Sequence, residues 1–306
     1  MNNINFKNRD VISIRDFSKQ EILHVLKKAK EFKSAPKPDL LKGKIMASLF
    51  FEPSTRTRFS FESAMQRLGG SVITLADAKT SSSAKGESLS DSIRIVEKYC
   101  DVIVMRHSLE GAARLAAEVS NNPILNGGDG ANQHPTQTFL DLFSILETQK
   151  KLNGLNVAMV GDLKYGRTVH SLAYALSLFN CRLYFISPDE LKMPKHVLNE
   201  IKANKVKYSE HSRPESLMSK MDIFYATRIQ KERFADAMEY EKVKDVYIIN
   251  NELLKNVKKN FRILHPLPRV NEINYEVDDT PYAYYFQQAS NGLWVREALL
   301  ALTLGK

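Results

Sequence analysis

The order of segments predicts an α/β protein of two similar domains, each a parallel β-sheet flanked by helices. Three observations lead there. Short apolar runs such as Ile45 to Phe51 and Asp101 to Met105 alternate with amphipathic helical patterns, and strand–helix–strand repetition builds parallel sheets covered by helices. The alternation restarts after Lys151 to Gly154 with the run Asn156 to Gly161, as a second domain would. A cationic or imidazole side chain also follows strand after strand, on the side where open parallel sheets bind ligands.

The 306 residues suit two domains, 1–150 and 151–286, followed by a long helical pattern from Gln287 to Leu304 with no strand after it. Composition is that of an ordinary globular chain, 43% hydrophobic and 26% charged. The net charge of +9 suits anions without separating a polyanion from a small phosphate. Basic residues are dispersed, and the densest group, Lys255 to Arg262, reads as a solvated helix end rather than a nucleic-acid surface. Cys100 and Cys181 show neither disulfide nor zinc spacing. Met1 to Asp10 lacks an apolar signal core and no run is long enough to cross a membrane, so a cytoplasmic protein is expected.

Ser18 to Phe32 is an amphipathic helix opened by a Ser-Lys-Gln-Glu capping box. Ile45 to Phe51 is a strand, and a helix with Phe61, Ala64, Met65 and Leu68 on one face follows Ser54. Ser71 to Leu75 is a strand, Thr80 to Glu87 a Ser-rich loop, and Leu89, Ile93, Val96 and Cys100 share a helix face. The strand Asp101 to Met105 ends in Arg106 and His107. A helix over Gly111 to Ser120, a strand at Pro123 to Leu125 and a Gly-rich loop from Gly127 to Pro135 come next. A helix then runs to about Lys150. In the second half the expected strands are Asn156 to Val160, Arg182 to Ser187, Asp222 to Ala226 and Phe261 to Leu264, with a helix ending at Phe179.

The stretch from Glu52 to Arg58 is a strand–turn–helix junction. Ser54 can cap the helix, the first-turn N–H groups face outward, and Arg56, with Arg58 if it turns inward, adds charge. Two arginines in the first turn oppose the helix dipole, a placement that an anion would offset. Beyond the other strands stand Arg106, His134, Arg167, Arg228 and the run His265 to Pro268. The first half therefore offers hydroxyls, helix-end N–H groups, Arg56, Arg106 and His134, which suit a phosphate joined to a polar carbonyl. The second offers Arg167, Arg228 and Gln230, which suit a small dicarboxylate. A phosphate donor on one domain and an acidic acceptor on the other imply group transfer in the cleft between them.

His134 reads as a donor that polarises the carbonyl or as a general base; few Asp and Glu lie among these segments to support a base, with Asp129 the exception. The loop Gly161 to Arg167 lacks the G-x-G-x-x-G spacing of a dinucleotide site, because Leu163 stands where the middle glycine belongs. It also misses a P-loop, with Arg167 in place of the lysine.

The run Ser54, Thr55, Arg56, Thr57 and Arg58 after an apolar strand resembles the carbamoyl-phosphate signature of the aspartate and ornithine carbamoyltransferase family. The likeness covers nearly the whole chain. It includes Lys85 to Glu87, Val104 to His107, Glu110 to Arg114, Asn132 to Thr138, Val160 to His170, Thr227 to Arg233 and His265 to Arg269. It implies transfer of the carbamoyl group of carbamoyl phosphate to L-aspartate, a step of de novo pyrimidine biosynthesis, with no metal or organic cofactor. Ser54, Thr55, Arg56, Thr57 and Arg106 would hold the phosphate, with Thr55, Arg106 and His134 near the carbonyl and Gln137 on the carbamoyl amide. Arg167, Arg228 and Gln230 would hold the aspartate carboxylates. Leu267 would meet the amino groups through its backbone, and Pro268 would line the same site.

The family also implies a homotrimer in which a neighbouring subunit supplies Lys85 and a serine, best matched by Ser81, with Ser82 or Ser83 open. Glu52 resembles a glutamate that bridges the domains on closure, with Arg167 and Arg233 as partners. The C-terminal helix, 287–306, would pack back on the first domain, and a separate zinc-containing regulatory chain would be a partner. An ornithine-type acceptor is the nearest alternative; those relatives carry a cysteine where this chain has Pro266. A non-catalytic phosphometabolite-binding protein is the alternative of another class.

Overall fold

The computed structural model describes residues 4–75, 86–229, 238, 240–241 and 246–306. Two compact units make up the chain: Met1–Phe143 with Ser290–Lys306, and Ser144–Ala289.

The first unit holds β1 (Ile45–Phe50), β2 (Ser71–Leu75), β3 (Val102–His107) and β4 (Ile124–Asp129) in a four-stranded sheet of order β2-β1-β3-β4. Every pairing is parallel. Its helices are α1 (Lys19–Ser34), α2 (Thr55–Arg67), α3 (Leu89–Val96), α4 (Ala112–Val119) and the start of α5 (Pro135–Gln149). The capping box of α1 forms as expected, with Ser18 and Glu21 exchanging side-chain and backbone hydrogen bonds. Strand alternation sends Ala47 and Leu49 into a core with Ile103, Met105, Ile93, Ala112, Ala113 and Ala116. Each large aliphatic side chain buried there contributes about 1.5–3 kcal/mol.

The second unit has β5 (Asn156–Val160), β6 (Arg182–Ile186), β7 (Lys207–His211), β8 (Ile223–Ala226) and β9 (Arg262–Leu264), all parallel, in the order β7-β6-β5-β8-β9. Helices α6 (Arg167–Ser177) and α7 (Lys195–Ala203) follow β5 and β6. Ala158, Val160, Phe224, Ala226, Ile263 and Tyr285 share its core. The last helix, α8 (Tyr285–Thr303), sets its C-terminal part against the first unit: Glu297 accepts from Arg67 at 2.8 Å, and Asn8 N donates to Thr303 O at 2.9 Å.

Several elements differ from the sequence expectation. Strand β4 continues through Asn126 to Asp129, into the Gly-rich run expected as loop, because Asp129 pairs with His107 and the Asn126 side chain bonds Ile12 O and Asp129. Helix α3 stops at Val96, a 3-10 turn follows, and Cys100 falls outside the helix. The basic stretch from Lys255 lies in turns leading into β9 rather than on a helix end. Strand β7 was not expected, because Tyr208 is its one hydrophobic residue among Lys207, Ser209, Glu210 and His211. Both cysteines are free, and no helix among the described residues is long and apolar enough to cross a membrane.

Glu97 pins the turn after α3 to the turn before β4. Its carboxylate accepts from Lys98 Nζ at 2.7 Å and from Asn121 N at 2.6 Å, and these bonds bring its pKa from 4.5 to about 2. A folded pKa below the unfolded one adds stability above pH 4.5 that is lost as pH falls toward 2. Urea denaturation of Glu97→Gln should therefore show a deficit that is full at pH 7 and shrinks through this acid window.

Candidate active site

Strand order reverses between β1 and β3, since one connection from β1 runs outward to β2 and the next returns to β3 on the other side. Such switch points leave a crevice at the carboxyl ends of the two strands. Phe50 of β1 pairs with Arg106 of β3, so Arg106 lies beside the segment that leads from β1 into α2. Ser54 is the N-cap of α2, as expected, yet its side chain makes no capping bond and the first turn contains no acid. Thr55 and Arg56 are exposed and Thr57 is buried.

Arg106 donates from Nη1 to Gly127 O at 3.2 Å and from Nη2 to Glu52 Oε1 at 2.9 Å. Its buried Nε has no acceptor among the described residues. Arg56 is exposed by area, but protein atoms crowd its guanidinium, and this desolvation together with the charge on Arg106 lowers its pKa. A shared anion would relieve that repulsion. Arg58 stays on the flank of α2, with Nε 3.8 Å from Glu62 and the guanidinium over the Phe59 ring. Glu52, expected as a bridge to Arg167 and Arg233, here pairs with Arg106 inside the first unit.

The β4–α5 loop is built around Asp129. Oδ1 accepts from Asn126 Nδ2 at 2.9 Å and Gln133 N at 3.0 Å; Oδ2 accepts from Gly111 N at 2.9 Å and Asn132 Nδ2 at 3.0 Å. Both carboxylate oxygens are thus engaged in holding the loop. His134 follows, 4% exposed, with Nε2 3.5 Å from Thr57 Oγ1 and Nδ1 3.5 Å from Thr136 Oγ1. This ties the loop to the first turn of α2. Gln137, in the first turn of α5, donates from Nε2 to Asp141 Oδ1 at 2.8 Å.

The second unit repeats the geometry. Order reverses between β5 and β8, where Val160 pairs with Ala226. Gly161 at φ +112° is required there, because a Cβ would lie 2.2 Å from Thr227 O. Asp162 Oδ1 then accepts from Lys164 N and Tyr165 N, shaping the loop that delivers Arg167 as the first residue of α6. Arg228 stands two residues beyond β8, half-buried.

On β9 the chain leads into His265, whose Nδ1 accepts from Leu267 N at 2.8 Å and whose backbone N donates to Gln288 Oε1 at 2.8 Å. His265 Nε2 lies 2.8 Å from Glu272 Oε1. Burial works to raise the Glu272 carboxyl, but the imidazole and neighbouring N–H groups outweigh it and the pKa falls. The Leu267 N–H is thus occupied by His265, which leaves its carbonyl as the backbone group able to meet a further donor.

Among the expected site residues, Ser81, Ser82, Ser83, Lys85, Gln230 and Arg233 lie outside the described residues. Ser54, Thr55, Arg56, Thr57, Arg106 and His134 gather at the first switch point or on the loop beside it, Gln137 follows in the first turn of α5, and Arg167 and Arg228 lie beyond the strands of the second. Sequence reasoning missed the supporting carboxylates Asp141 and Glu272. A spacing of four between Gln137 and Asp141 on one helix was the available signal for the first.

Guanidinium side chains beyond a switch point in each of two parallel α/β units are the arrangement of a two-domain enzyme for anionic substrates. The comparisons narrow it. Residues 9–147 match the model for the carbamoyl-P binding domain of aspartate/ornithine carbamoyltransferase, and residues 153–303 match that for its Asp/Orn binding domain. The aspartate carbamoyltransferase catalytic subunit of Bacteroides thetaiotaomicron is 57% identical over 98% of this chain and 96% of its own. The catalytic subunit of M. jannaschii aspartate transcarbamoylase superposes with a TM-score of 0.89 at 54% identity, over 96% and 97% of the two chains. The Trypanosoma cruzi aspartate transcarbamoylase in complex with carbamoyl phosphate gives 0.92 at 38% identity, over 98% and 97%. The chain belongs to the aspartate/ornithine carbamoyltransferase family.

Asp129→Asn would set an amide N–H2 against backbone and side-chain donors. We expect a loss of about 2–3 kcal/mol in urea denaturation, together with reduced turnover as the loop carrying His134 loosens.

Proposed function

We propose that the protein transfers the carbamoyl group of carbamoyl phosphate to the amino group of L-aspartate, yielding N-carbamoyl-L-aspartate and phosphate for pyrimidine synthesis. The observation that carries this reading is the pairing of Phe50 with Arg106, which sets a guanidinium beside the uncapped N-terminus of α2 and Arg56. Phosphate oxygens suit the N–H groups of that turn, the Ser54, Thr55 and Thr57 hydroxyls and the two guanidiniums. The free Nε–H of Arg106 is one donor already aimed at no protein acceptor among the described residues.

The acceptor binds through Arg167, Arg228 and Gln230, whose forks and amide match two carboxylates rather than a cationic side chain. Pro266 in the His265 to Pro268 segment agrees, and Leu267 meets the amine. The structure from T. cruzi with both carbamoyl phosphate and aspartate supports this substrate pair.

Attack of the amine on the carbonyl forms a tetrahedral intermediate whose oxygen gains negative charge. His134, Thr55 and Arg106 stabilise it, and one such donor is typically worth about 3 kcal/mol. His134 acts as donor rather than base, because the oxygens of Asp129 already hold the loop. The departing phosphate takes the amine proton. Lys85 and Ser81 act from a neighbouring subunit of a homotrimer, Glu52 exchanges Arg106 for Arg167 and Arg233 on closure, and a zinc-containing regulatory chain is a further partner in the cytoplasm.

Incubation with carbamoyl phosphate and L-aspartate should give the ureido product, L-ornithine should not, and Arg56→Ala should lower kcat/KM by about 10²–10³-fold. Product with ornithine alone would assign the other branch of the family. Mixing inactive Arg56→Ala and Lys85→Ala chains should restore turnover if sites are shared, and none if each chain works alone.

A further inference from the structure

The Gln137 carboxamide is held from behind. It is 9% exposed, and its Nε2 donates to Asp141 Oδ1 at 2.8 Å, one turn along α5. Asp141 is fully buried. Arg296 on α8, itself only 3% exposed and with its guanidinium 5.0 Å over the Phe61 ring, is near enough to feel the Asp141 charge. Burial pushes Arg296 down to about 9 while the Asp141 charge acts in the other direction. Room for this guanidinium depends on Gly292, where a Cβ would stand 2.2 Å from Arg296 Nη1. Two buried charges and a glycine are an expensive arrangement for helix packing alone.

A carboxamide has two ends of nearly equal size, one accepting and one donating, and rotation of the terminal torsion exchanges them. An ionised carboxylate only accepts. It therefore takes the N–H2 end and leaves the oxygen for whatever meets the other face. A carbamoyl group carries an N–H2 beside its carbonyl, whereas an acetyl group carries a methyl that has nothing to donate.

We propose that Asp141, balanced by Arg296, is a positioning residue that fixes Gln137 with its oxygen toward the acyl group, so that the site selects a carbamoyl over an acetyl phosphate. This rests on the reading above that Gln137 meets the carbamoyl amide. With the carboxylate gone, Gln137 presents either end, and the N–H2 of the substrate meets another N–H2 for part of the time. Binding of the phosphate half is untouched, because it uses α2 and Arg106.

The test compares wild type with Asp141→Asn and with the double variant Asp141→Asn/Arg296→Met, which leaves no lone buried guanidinium if the single variant fails to fold. Three quantities are measured: kcat/KM for carbamoyl phosphate with L-aspartate, and the inhibition constants of acetyl phosphate and of inorganic phosphate. The expected result is a fall of about 10–100-fold in the first, with the other two within about twofold of wild type. A general structural role would move all three together, and that outcome, or no change in any, overturns the proposal. Absence of carbamoyl phosphate turnover in wild type would instead sink the functional reading, and the inference with it.

Discussion

The register between β1 and β3 is the constraint from which the first site follows. Because Phe50 pairs with Arg106, the guanidinium leaves its strand where the neighbouring strand turns into α2. A one-residue slip would turn Arg106 to the other face of the sheet. That register is held by buried apolar residues, Met46, Ala47 and Leu49 against Val102, Ile103 and Met105. The same logic governs the second unit, where Val160 against Ala226 sets the positions of Arg167 and Arg228.

Positive charge is gathered at these points against its own repulsion. Desolvation and the charge on Arg106 lower the pKa of Arg56, and no acid in the first turn of α2 offsets that. Among the described residues Glu52 is the one carboxylate on Arg106, and it occupies a single Nη. The cost is borne by the packed sheet beneath, since electrostatic strain at a site needs a rigid platform to persist. The loop carrying His134 uses a different device, a buried aspartate collecting four N–H groups, which fixes backbone rather than charge.

Much of this was legible in the residues. Strand and helix order followed from periodicity, and the start of α2 at the Ser54 N-cap followed from the residues of that turn. The failures are instructive. Lys207–His211 carries Lys, Ser, Glu and His around a single Tyr208, and it forms the edge strand β7 because β6 offers it a partner; one aromatic among polar residues is too weak a local preference to announce a strand. Gly127 to Asp129 looked like the start of a loop because of its glycines, but tertiary bonds from Asn126 and Asp129 extend β4 through them. The role of Asp141 was hidden for a related reason. Its position on α5 was readable, but its charge partner on α8 lies over 150 residues away in sequence.

The first unit is discontinuous: its sheet and most of its helices come from the start of the chain, and Ser290–Lys306 completes it from the far end. The second unit is a single uninterrupted stretch between them. During synthesis the first unit must therefore wait. Its sheet emerges early, but Val295, Ala298 and Leu299, which are fully buried in the finished protein, are made only after the whole second unit. The apolar surface that α8 covers is bare for that interval, so the nascent chain carries an aggregation hazard that the folded protein does not show. Arg296, buried in the finished protein and acted on by the charge of Asp141, is likewise made only after the second unit.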